Sequence, residues 1–265
     1  MSTLKSILNK YRKNRMLRRM HYYSDQQGIM QRYLREKENW DIHFYKSKKF
    51  ILKSAESKNK GKVMVLGNGW LLDLPLADLS ANFKEIILVD IIHPRQVLNK
   101  IKQFNNVVTI NADISGGLIE YIYNTIRNDK NKKQKTLFKS AETFNFNLPN
   151  DIDFVISLNI MVQLHVILKD YIRQFNLLPE FELKTFEKEI QKTHLNMLPK
   201  GKSCLITDIE EEILSKDNQV IGVNPLIHLN LPEGNFTQQW QWKFDSKMTY
   251  REDAKTFFNT KAIDF

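Results

Sequence analysis

Two glycines and an aspartate stand at the spacing that nucleotide-binding proteins use to hold a ribose. Gly67 and Gly69 follow the apolar segment 63–66, and Asp90 ends a second apolar segment about twenty residues later. Glycine adopts positive φ readily and has no Cβ, so a ligand can lie against the backbone of such a turn. A carboxylate at Asp90 can accept hydrogen bonds from both hydroxyls of a ribose. These residues predict a site for a ligand with an adenosine-like end.

Polar residues also follow the later apolar segments. Asp113 comes after the segment 107–110, and Asn159 directly follows 152–158. Asn159 could contact a ligand or cap a helix. His165 could act as a general base, although a single histidine on a helix is more often structural. Asn159 and His165 are therefore the candidate catalytic residues. No set of His, Asp, Glu or Cys has the spacing of a metal site, so no metal is expected.

Further residues could face the same site. Asp208 precedes three glutamates at 210–212, which could bind a cationic ligand or begin a helix at the positive end of its dipole. His43 and His93 could line the cleft or be ordinary hydrogen-bonded histidines. Trp240 and Trp242 could stack on an aromatic ligand, although packing at the edge of a sheet is the commoner role.

Short apolar segments that alternate with helical patterns must position these residues. The segments 63–66, 86–89, 107–110, 152–158 and 203–207 are short and mainly apolar, as in parallel strands covered on both faces. Helices are predicted at 74–83, 95–104, 117–128, 159–176 and 181–198. The segments 236–244 and 260–265 are predicted as an antiparallel hairpin, because the first alternates with period two. The pattern indicates an α/β fold with a doubly wound, mostly parallel seven-stranded sheet and an antiparallel edge hairpin.

The residues 1–60 are predicted as a helical extension that precedes an α/β domain at 61–265. Leu4, Ile7, Leu8 and Tyr11 recur at helical spacing and mark one face of a first helix. Gly28 is expected to interrupt the pattern, so further helices are predicted at 29–39 and 40–55. A long, polar and basic segment at 129–150 indicates a lid or a disordered insert.

Charge is uneven along the chain. Lys and Arg number 40 against 30 Asp and Glu, and the formal net charge of +10 favours anionic partners in general. The first basic cluster contains no acid and comprises Lys5, Lys10, Arg12, Lys13, Arg15, Arg18 and Arg19. The second comprises Lys130, Lys132, Lys133, Lys135 and Lys139. Either cluster could touch phosphates or simply be solvated.

Composition also limits the location. No run nears the ~18 apolar residues needed to cross a membrane, and the N-terminal residues lack an apolar stretch suited to secretion. The single Cys204 excludes an intrachain disulfide and is expected to be a buried, inert thiol. A cytoplasmic location without a membrane partner is the expectation.

The motifs resemble those of class I S-adenosylmethionine-dependent methyltransferases over residues 62–265. They are VLGNG (65–69), LVD (88–90), NAD (111–113), DFVISLN (153–159) and LPKGKSCLITD (198–208). The resemblance implies a Rossmann-like fold and S-adenosylmethionine as the cofactor. It implies that Gly67, Asn68 and Gly69 cradle the methionine part, that Asp90 binds the ribose, and that Asp113 meets the adenine amine.

The chain departs from the family pattern within the glycine turn. A third glycine is usual where Leu71 stands, and an acid is often found where Val65 stands. Strand four ends in Ser-Leu-Asn at 157–159, and the Asn/Asp-Pro-Pro-Tyr signature of enzymes that methylate exocyclic amines is absent there.

Three functions are open at this point. The first is methyl transfer to an unidentified acceptor, either a small molecule or nucleic acid. The second is a non-catalytic binding or scaffold protein whose basic arm holds nucleic acid or another protein. The third is a nicotinamide-dependent oxidoreductase, which the late alternating strands and the lack of a Tyr/Lys or His/Asp pair make the least favoured. The sequence indicates no oligomeric state.

Overall fold

The structure, a computed structural model, describes residues 2–128 and 141–265. Its described strands are β1 (Lys62–Leu66), β2 (Glu85–Asp90), β3 (Val107–Asn111), β4 (Phe154–Leu158), β5 (Ser203–Leu214), β6 (Val220–Pro225), β7 (Phe236–Asp245) and β8 (Lys255–Asp264). They form one eight-stranded sheet with the order β3-β2-β1-β4-β5-β8-β7, and β6 pairs with β5 off this path. β1 to β5 run parallel, whereas β8 runs antiparallel to β5 and β7.

This sheet confirms the predicted α/β, Rossmann-like class with late antiparallel strands. It has one strand more than predicted, because β5 continues to Leu214 and its second half pairs with β6. The glutamates at 210–212 therefore lie in a strand, and the prediction that they begin a helix is wrong. A register shift between Asp208 and Glu210 marks an irregularity where the long strand passes the end of the parallel sheet.

The described helices are α1 (Ser2–Arg19), α2 (Tyr22–Arg35), α3 (Lys37–Glu56), α4 (Leu76–Asn82), α5 (Arg95–Ile101), α6 (Leu118–Asn128), α7 (Gln163–Arg173) and α8 (Glu180–Met197), with a short 3-10 helix at Ala141–Thr143. The predicted break at Gly28 is wrong, because Gly28 lies inside α2. The chain breaks instead at His21, whose φ of 67° is left-handed. A glycine inside a helix costs only about 1 kcal/mol relative to alanine, which the contacts of α2 can offset.

Both faces of the central strands β1, β2 and β4 are buried, as predicted. The same prediction is wrong for β3, an edge strand in which Val108 and Ile110 are 44% and 43% exposed. Met64 and Leu66 of β1 belong to a cluster that includes residues of α1, α6, α7 and α8. Val63 and Val65 of the same strand belong to a second cluster, which includes residues of α3, α4 and α5. Successive strand residues point to opposite faces, so a strand buried on both sides must be apolar throughout.

Helix α1 is only half packed. Met16, Leu17 and Met20 are buried against the main core. Ile7 and Tyr11, which the sequence placed on one apolar face, are 59% and 65% exposed. The apolar face of the first half of α1 is therefore solvent-facing among the described residues.

The second basic cluster (130–139) and most of the predicted lid lie outside the described residues. No helix in the described part of the chain is long and apolar enough to cross a membrane.

Candidate functional site

The glycine turn follows β1 and lies against the end of β4. Gly67 has a φ of 79°, and its N–H donates to the carbonyl of Val89 at 2.9 Å. A Cβ built on Gly67 would lie 2.6 Å from the Cβ of Ile160 and 3.0 Å from the carbonyl oxygen of Leu158. Glycine is required here by the close approach of the chain after β4 as well as by the backbone conformation.

Asp90 is fixed against this turn by two backbone hydrogen bonds. Its Oδ2 accepts from the Gly69 N–H at 2.8 Å, and its Oδ1 accepts from the Ile91 N–H at 2.7 Å. Burial raises the pKa of Asp90, while the backbone bonds from Gly69, Ile91 and Ile92 and the neighbouring His93 act in the opposite direction. An ionised carboxylate offers about four acceptor positions, so the backbone leaves part of this capacity for a ligand. The structure thus brings Asp90, the residue predicted to bind a ribose, next to the predicted glycine turn.

Space and an unused donor lie beside these two residues. Apart from its chain neighbours, no described residue has an atom within 4 Å of the position a Cβ would take on Gly69. Asn68 is 1% exposed, and its Oδ1 is 3.1 Å from His93 Nε2, while its Nδ2 has no hydrogen-bond partner among the described residues. Buried donors without partners are uncommon, so this atom points to a ligand or a water. His93 thus supports the turn through Asn68.

Leu71, which stands where the resemblance expected a third glycine, keeps a glycine-like conformation. Its φ is 59° and its side chain is 2% exposed. A left-handed conformation is strained for leucine and persists only where surrounding contacts hold it. Burial of Leu71 in the core cluster with Val65 supplies such contacts.

Helices α1 and α2 lie across the carboxyl ends of β1, β2 and β3. The side-chain Nε2 of Gln26 donates to the backbone carbonyl of Ile92 at 2.9 Å. The backbone carbonyl of Gln26 accepts from Trp70 Nε1 at 2.7 Å. Lys13 Nζ contacts the carbonyl of Asn111 at 3.4 Å. The helical extension therefore packs on the edge at which open α/β sheets bind ligands.

Asp113 caps its own turn. Its Oδ1 accepts from the backbone and the hydroxyl of Ser115, and its Oδ2 accepts from the N–H groups of Gly117 and Ile119, both at 3.2 Å. These bonds occupy the acceptor positions of the carboxylate and hold the start of α6. The adenine contact at Asp113 stays a prediction, and it would require sharing an oxygen that already bonds the turn.

A second polar group lies at the carboxyl ends of β4 and β5. Asn159 has a φ of 51°, and its Nδ2 is 3.0 Å from Asp73 Oδ2 and 3.2 Å from His43 Nε2. Trp240 Nε1 donates to His43 Nδ1 at 3.0 Å. Burial lowers the pKa of His43 to about 3, so its imidazole is neutral. Asn159 precedes α7 by four positions and does not cap it, since that helix begins at Gln163 after Val162.

Two carboxyl groups in this region have raised pKa values. Burial raises the pKa of Asp73 to about 6, against the hydrogen bond from Asn159. Burial raises the pKa of Asp208 to about 7, and the charge of Asp73 acts in the same direction. Thr260 donates to Asp208 Oδ1 at 2.7 Å. Asp73, Asp208 and Asn159 are each half-buried, so part of each side chain faces open space.

His165 lies in a different environment. It is 2% exposed, and its Nε2 is 3.1 Å from Gln191 Nε2 on α8. Burial lowers the pKa of His165 to about 4. Gln191 also donates to the carbonyl of Leu226 and accepts from the His228 N–H. No described hydrogen bond joins His165 to Asn159, so the structure does not bring the two candidate catalytic residues together.

The two tryptophans pack inside the protein. Trp240 and Trp242 are 5% and 6% exposed, and Trp242 stacks on His43 with ring centroids 4.0 Å apart. The aromatic group they form with Trp40 and Phe244 fastens α3 to β7. Packing, the commoner of the two roles considered for them, is what the structure shows.

Sequence reasoning missed Asp73. The available signal was an acid inside the apolar run LLDLPL, at 71–76. An acid in such a run is unusual, because buried carboxylates are rare unless they are paired or functional. Among the described residues, no group of three or more metal-ligating side chains comes together.

Comparisons with known proteins give structural likenesses only. No protein-family model and no curated protein sequence matches the chain. An S-adenosylmethionine-dependent methyltransferase from Clostridium acetobutylicum is similar at 16% identity and a TM-score of 0.34, over 62% of this chain and 50% of that protein. The chain thus matches half the length of the Clostridium protein.

The N-methyltransferase NodS from Bradyrhizobium japonicum WM9 is similar at 11% identity and a TM-score of 0.41, over 83% of this chain and 96% of that one. Its complex with S-adenosyl-L-homocysteine is similar at 10% identity and a TM-score of 0.38, over 82% and 85%. At these identities and TM-scores the likeness carries no weight for function, which rests on the site itself.

Proposed function

We propose that the chain binds S-adenosylmethionine at the carboxyl ends of β1 and β2 and transfers its methyl group to an acceptor held beside β4 and β5. The observation that supports this most directly is the bond from the Gly69 N–H to Asp90 Oδ2 at 2.8 Å. It holds a carboxylate beside a glycine turn, where its remaining lone pairs can accept both ribose hydroxyls.

Three features of the turn fit this cofactor. Gly67 allows the chain after β4 to approach within contact of the turn. Open space beside Gly69 leaves room for the methionine part of the cofactor. The unpartnered Nδ2 of Asn68 offers a donor to a carboxylate or hydroxyl of the ligand. Gly67, Asn68, Gly69 and Asp90 are therefore the residues proposed to hold the cofactor.

When bound, S-adenosylmethionine supplies a methyl carbon on a sulfonium, and the new bond to this carbon forms as the carbon–sulfur bond breaks with its electron pair left on sulfur. The protein's part is to orient the acceptor and exclude water. Asn159 directly follows Leu158, whose carbonyl contacts the glycine turn. This position supports Asn159 as a residue that orients the acceptor. His165 has no part in this proposal, since its imidazole pairs with Gln191.

Calorimetric titration with S-adenosylhomocysteine tests the proposal, with NADH and ATP as comparison ligands. We expect a micromolar Kd for S-adenosylhomocysteine and at least about tenfold weaker binding of the other two. NADH and ATP also carry a ribose, so the difference in Kd tests how the site fits the rest of the ligand and not the contact with Asp90 alone. Tighter binding of NADH would instead support the oxidoreductase alternative. No binding of any of the three would overturn the placement of a cofactor at this edge.

A further inference from the structure

Within the described part of the chain, the carboxyl groups of Asp73 and Asp208 have no counter-ion in contact with them. No salt bridge joins either of them to a Lys, Arg or His among the described residues. Lys48 of α3 acts on Asp73 electrostatically without forming an ion pair. Carboxylates withdrawn from water are normally paired, so two half-buried carboxyl groups without an ion pair, each raised in pKa, make this group a candidate functional site.

His43 sets the hydrogen-bonding state of this group. Trp240 has only an N–H donor to offer, so His43 Nδ1 must accept and Nε2 must carry the imidazole proton. Nε2–H then faces Asn159 Nδ2, which is also a donor. The alternative tautomer would place the same conflict at Trp240. While Asp73 is ionised, each tautomer of His43 therefore leaves two hydrogen-bond donors facing each other, either at Asn159 or at Trp240.

Protonation of Asp73 removes the conflict. Rotation of the Asn159 amide would then place its oxygen between the Asp73 hydroxyl and the His43 N–H, and both groups would donate to it. Amide orientation is assigned from such networks, because oxygen and nitrogen have nearly the same shape. The fixed pair of His43 and Trp240 thus favours the state in which Asp73 has gained a proton.

One position in the cluster is left for a ligand. The remaining amide atom of Asn159, Oδ1 as the side chain is oriented, is shielded from solvent and has no partner among the described residues. Trp242, which is 6% exposed and stacks on His43, also has an unpartnered Nε1. An N–H group of a ligand can donate to this amide oxygen.

We propose that Asp73, Asp208 and Asn159 form the acceptor subsite, and that the acceptor is an amine whose ammonium proton passes to Asp73. This rests on the proposed function, because it assigns the substrate class of that site. The two carboxylates attract an ammonium group, which has three donors and no acceptor. Transfer of one N–H proton to a carboxylate oxygen of Asp73 leaves a neutral amine with a free lone pair. The pKa values of about 6 and 7 suit a base for an ammonium and not for an alcohol.

Calorimetric titration with n-butylamine tests this subsite, with n-butanol and butyrate as matched ligands of the same length. The series is run on the full chain with and without S-adenosylhomocysteine. We expect butylamine to bind at least about tenfold tighter than butanol, and butyrate not to bind. Asp73→Asn and Asp208→Asn should each weaken butylamine binding about tenfold or more while leaving the affinity for S-adenosylhomocysteine unchanged.

Asp217→Asn is the control, since it removes one negative charge from an exposed turn away from the cluster. It should leave butylamine binding unchanged. Unfolding midpoints of all variants show whether each is folded. Equal binding of butylamine and butanol, or full butylamine affinity in both cluster variants, would overturn the amine subsite even where S-adenosylhomocysteine binds. An amine preference in a protein that binds no S-adenosylhomocysteine would instead overturn its role as a methyl acceptor site.

Discussion

The substitution Asp90→Asn separates the cofactor role of this carboxylate from its structural role. The side chain accepts from Gly69 N–H at 2.8 Å and Ile91 N–H at 2.7 Å. Asparagine has one oxygen, so it can keep one of these bonds and must turn its NH₂ group toward the other donor. Loss of one hydrogen bond to a charged group costs about 1.5–3 kcal/mol. Burial disfavours the charge of Asp90, so the neutral asparagine regains part of this loss.

The expected net loss is about 1 kcal/mol in the free energy of unfolding, measured by urea denaturation. The affinity for S-adenosylhomocysteine should fall by more, about 10- to 100-fold, because the ribose hydroxyls need the acceptor positions of Asp90 that the backbone leaves free. Asp78→Asn, an exposed acid on α4, controls for the change in charge. An unchanged affinity in a folded Asp90→Asn protein would refute the ribose placement. A loss of stability above about 3 kcal/mol would refute the reasoning on burial.

Three further predictions concern the turn, the acidic pair and the thiol. Gly67→Ala should destabilise the protein by about 2–5 kcal/mol in urea, because its Cβ would press on Ile160, whereas Gly69→Ala should lose only the ~1–2 kcal/mol of its backbone strain. Equal losses of stability in the two variants would show that Ile160 moves away from the new Cβ. The pKa of Asp208 is raised to about 7, so the folded protein holds a proton there that the unfolded chain loses near pH 4, and stability should fall by about 1–3 kcal/mol as pH rises from 4 to 7. Asp208→Asn should flatten this part of the urea midpoint–pH curve, and an unchanged slope would contradict the assignment. Cys204 is 0% exposed, and this burial raises the pKa of its thiol, so iodoacetamide should label it only under unfolding conditions. Rapid labelling of the native protein would show that β5 is accessible.

The parallel part of the fold was predictable because burial leaves a simple pattern. A strand covered on both faces must be apolar over its buried length, and residues 63–66 of β1, 86–89 of β2 and 154–156 of β4 are. The pairing of the glycine turn with Asp90 was also predictable, because both stand directly at strand ends that a parallel sheet brings to one edge.

The limits of the N-terminal helices and of β5 were not predictable from local preference. Gly28 is a poor helix former, yet tertiary contacts of α2 override it, while His21 breaks the helix without any local signal. The glutamates at 210–212 favour a helix start by charge, but pairing with both β6 and β8 places them in a strand. Cross-strand pairing depends on residues far along the chain, which a local pattern does not contain.

The second half of the site escaped prediction for the same reason. Asp73 and His43 contact Asn159 from a loop and a helix. His43 is in turn bonded by Trp240 of β7, 197 positions further along the chain. His165 was predicted as a base in the region that follows β4, yet α7 turns it toward Gln191. Proximity along the chain is a weak guide to contacts once a helix begins between two residues.

The place of β8 in the sheet has a consequence for the order of folding. β7 is made before β8 but can join the sheet only through it, since β8 lies between β5 and β7. Helix α3 is made far earlier, yet Trp40 and His43 bond to residues of β7, and Ser54 bonds to Asp264 in β8. During synthesis, the aromatic side chains of α3 therefore stay exposed until some two hundred further residues have left the ribosome. Such long-range closure predicts slow folding and a nascent chain that needs protection from association.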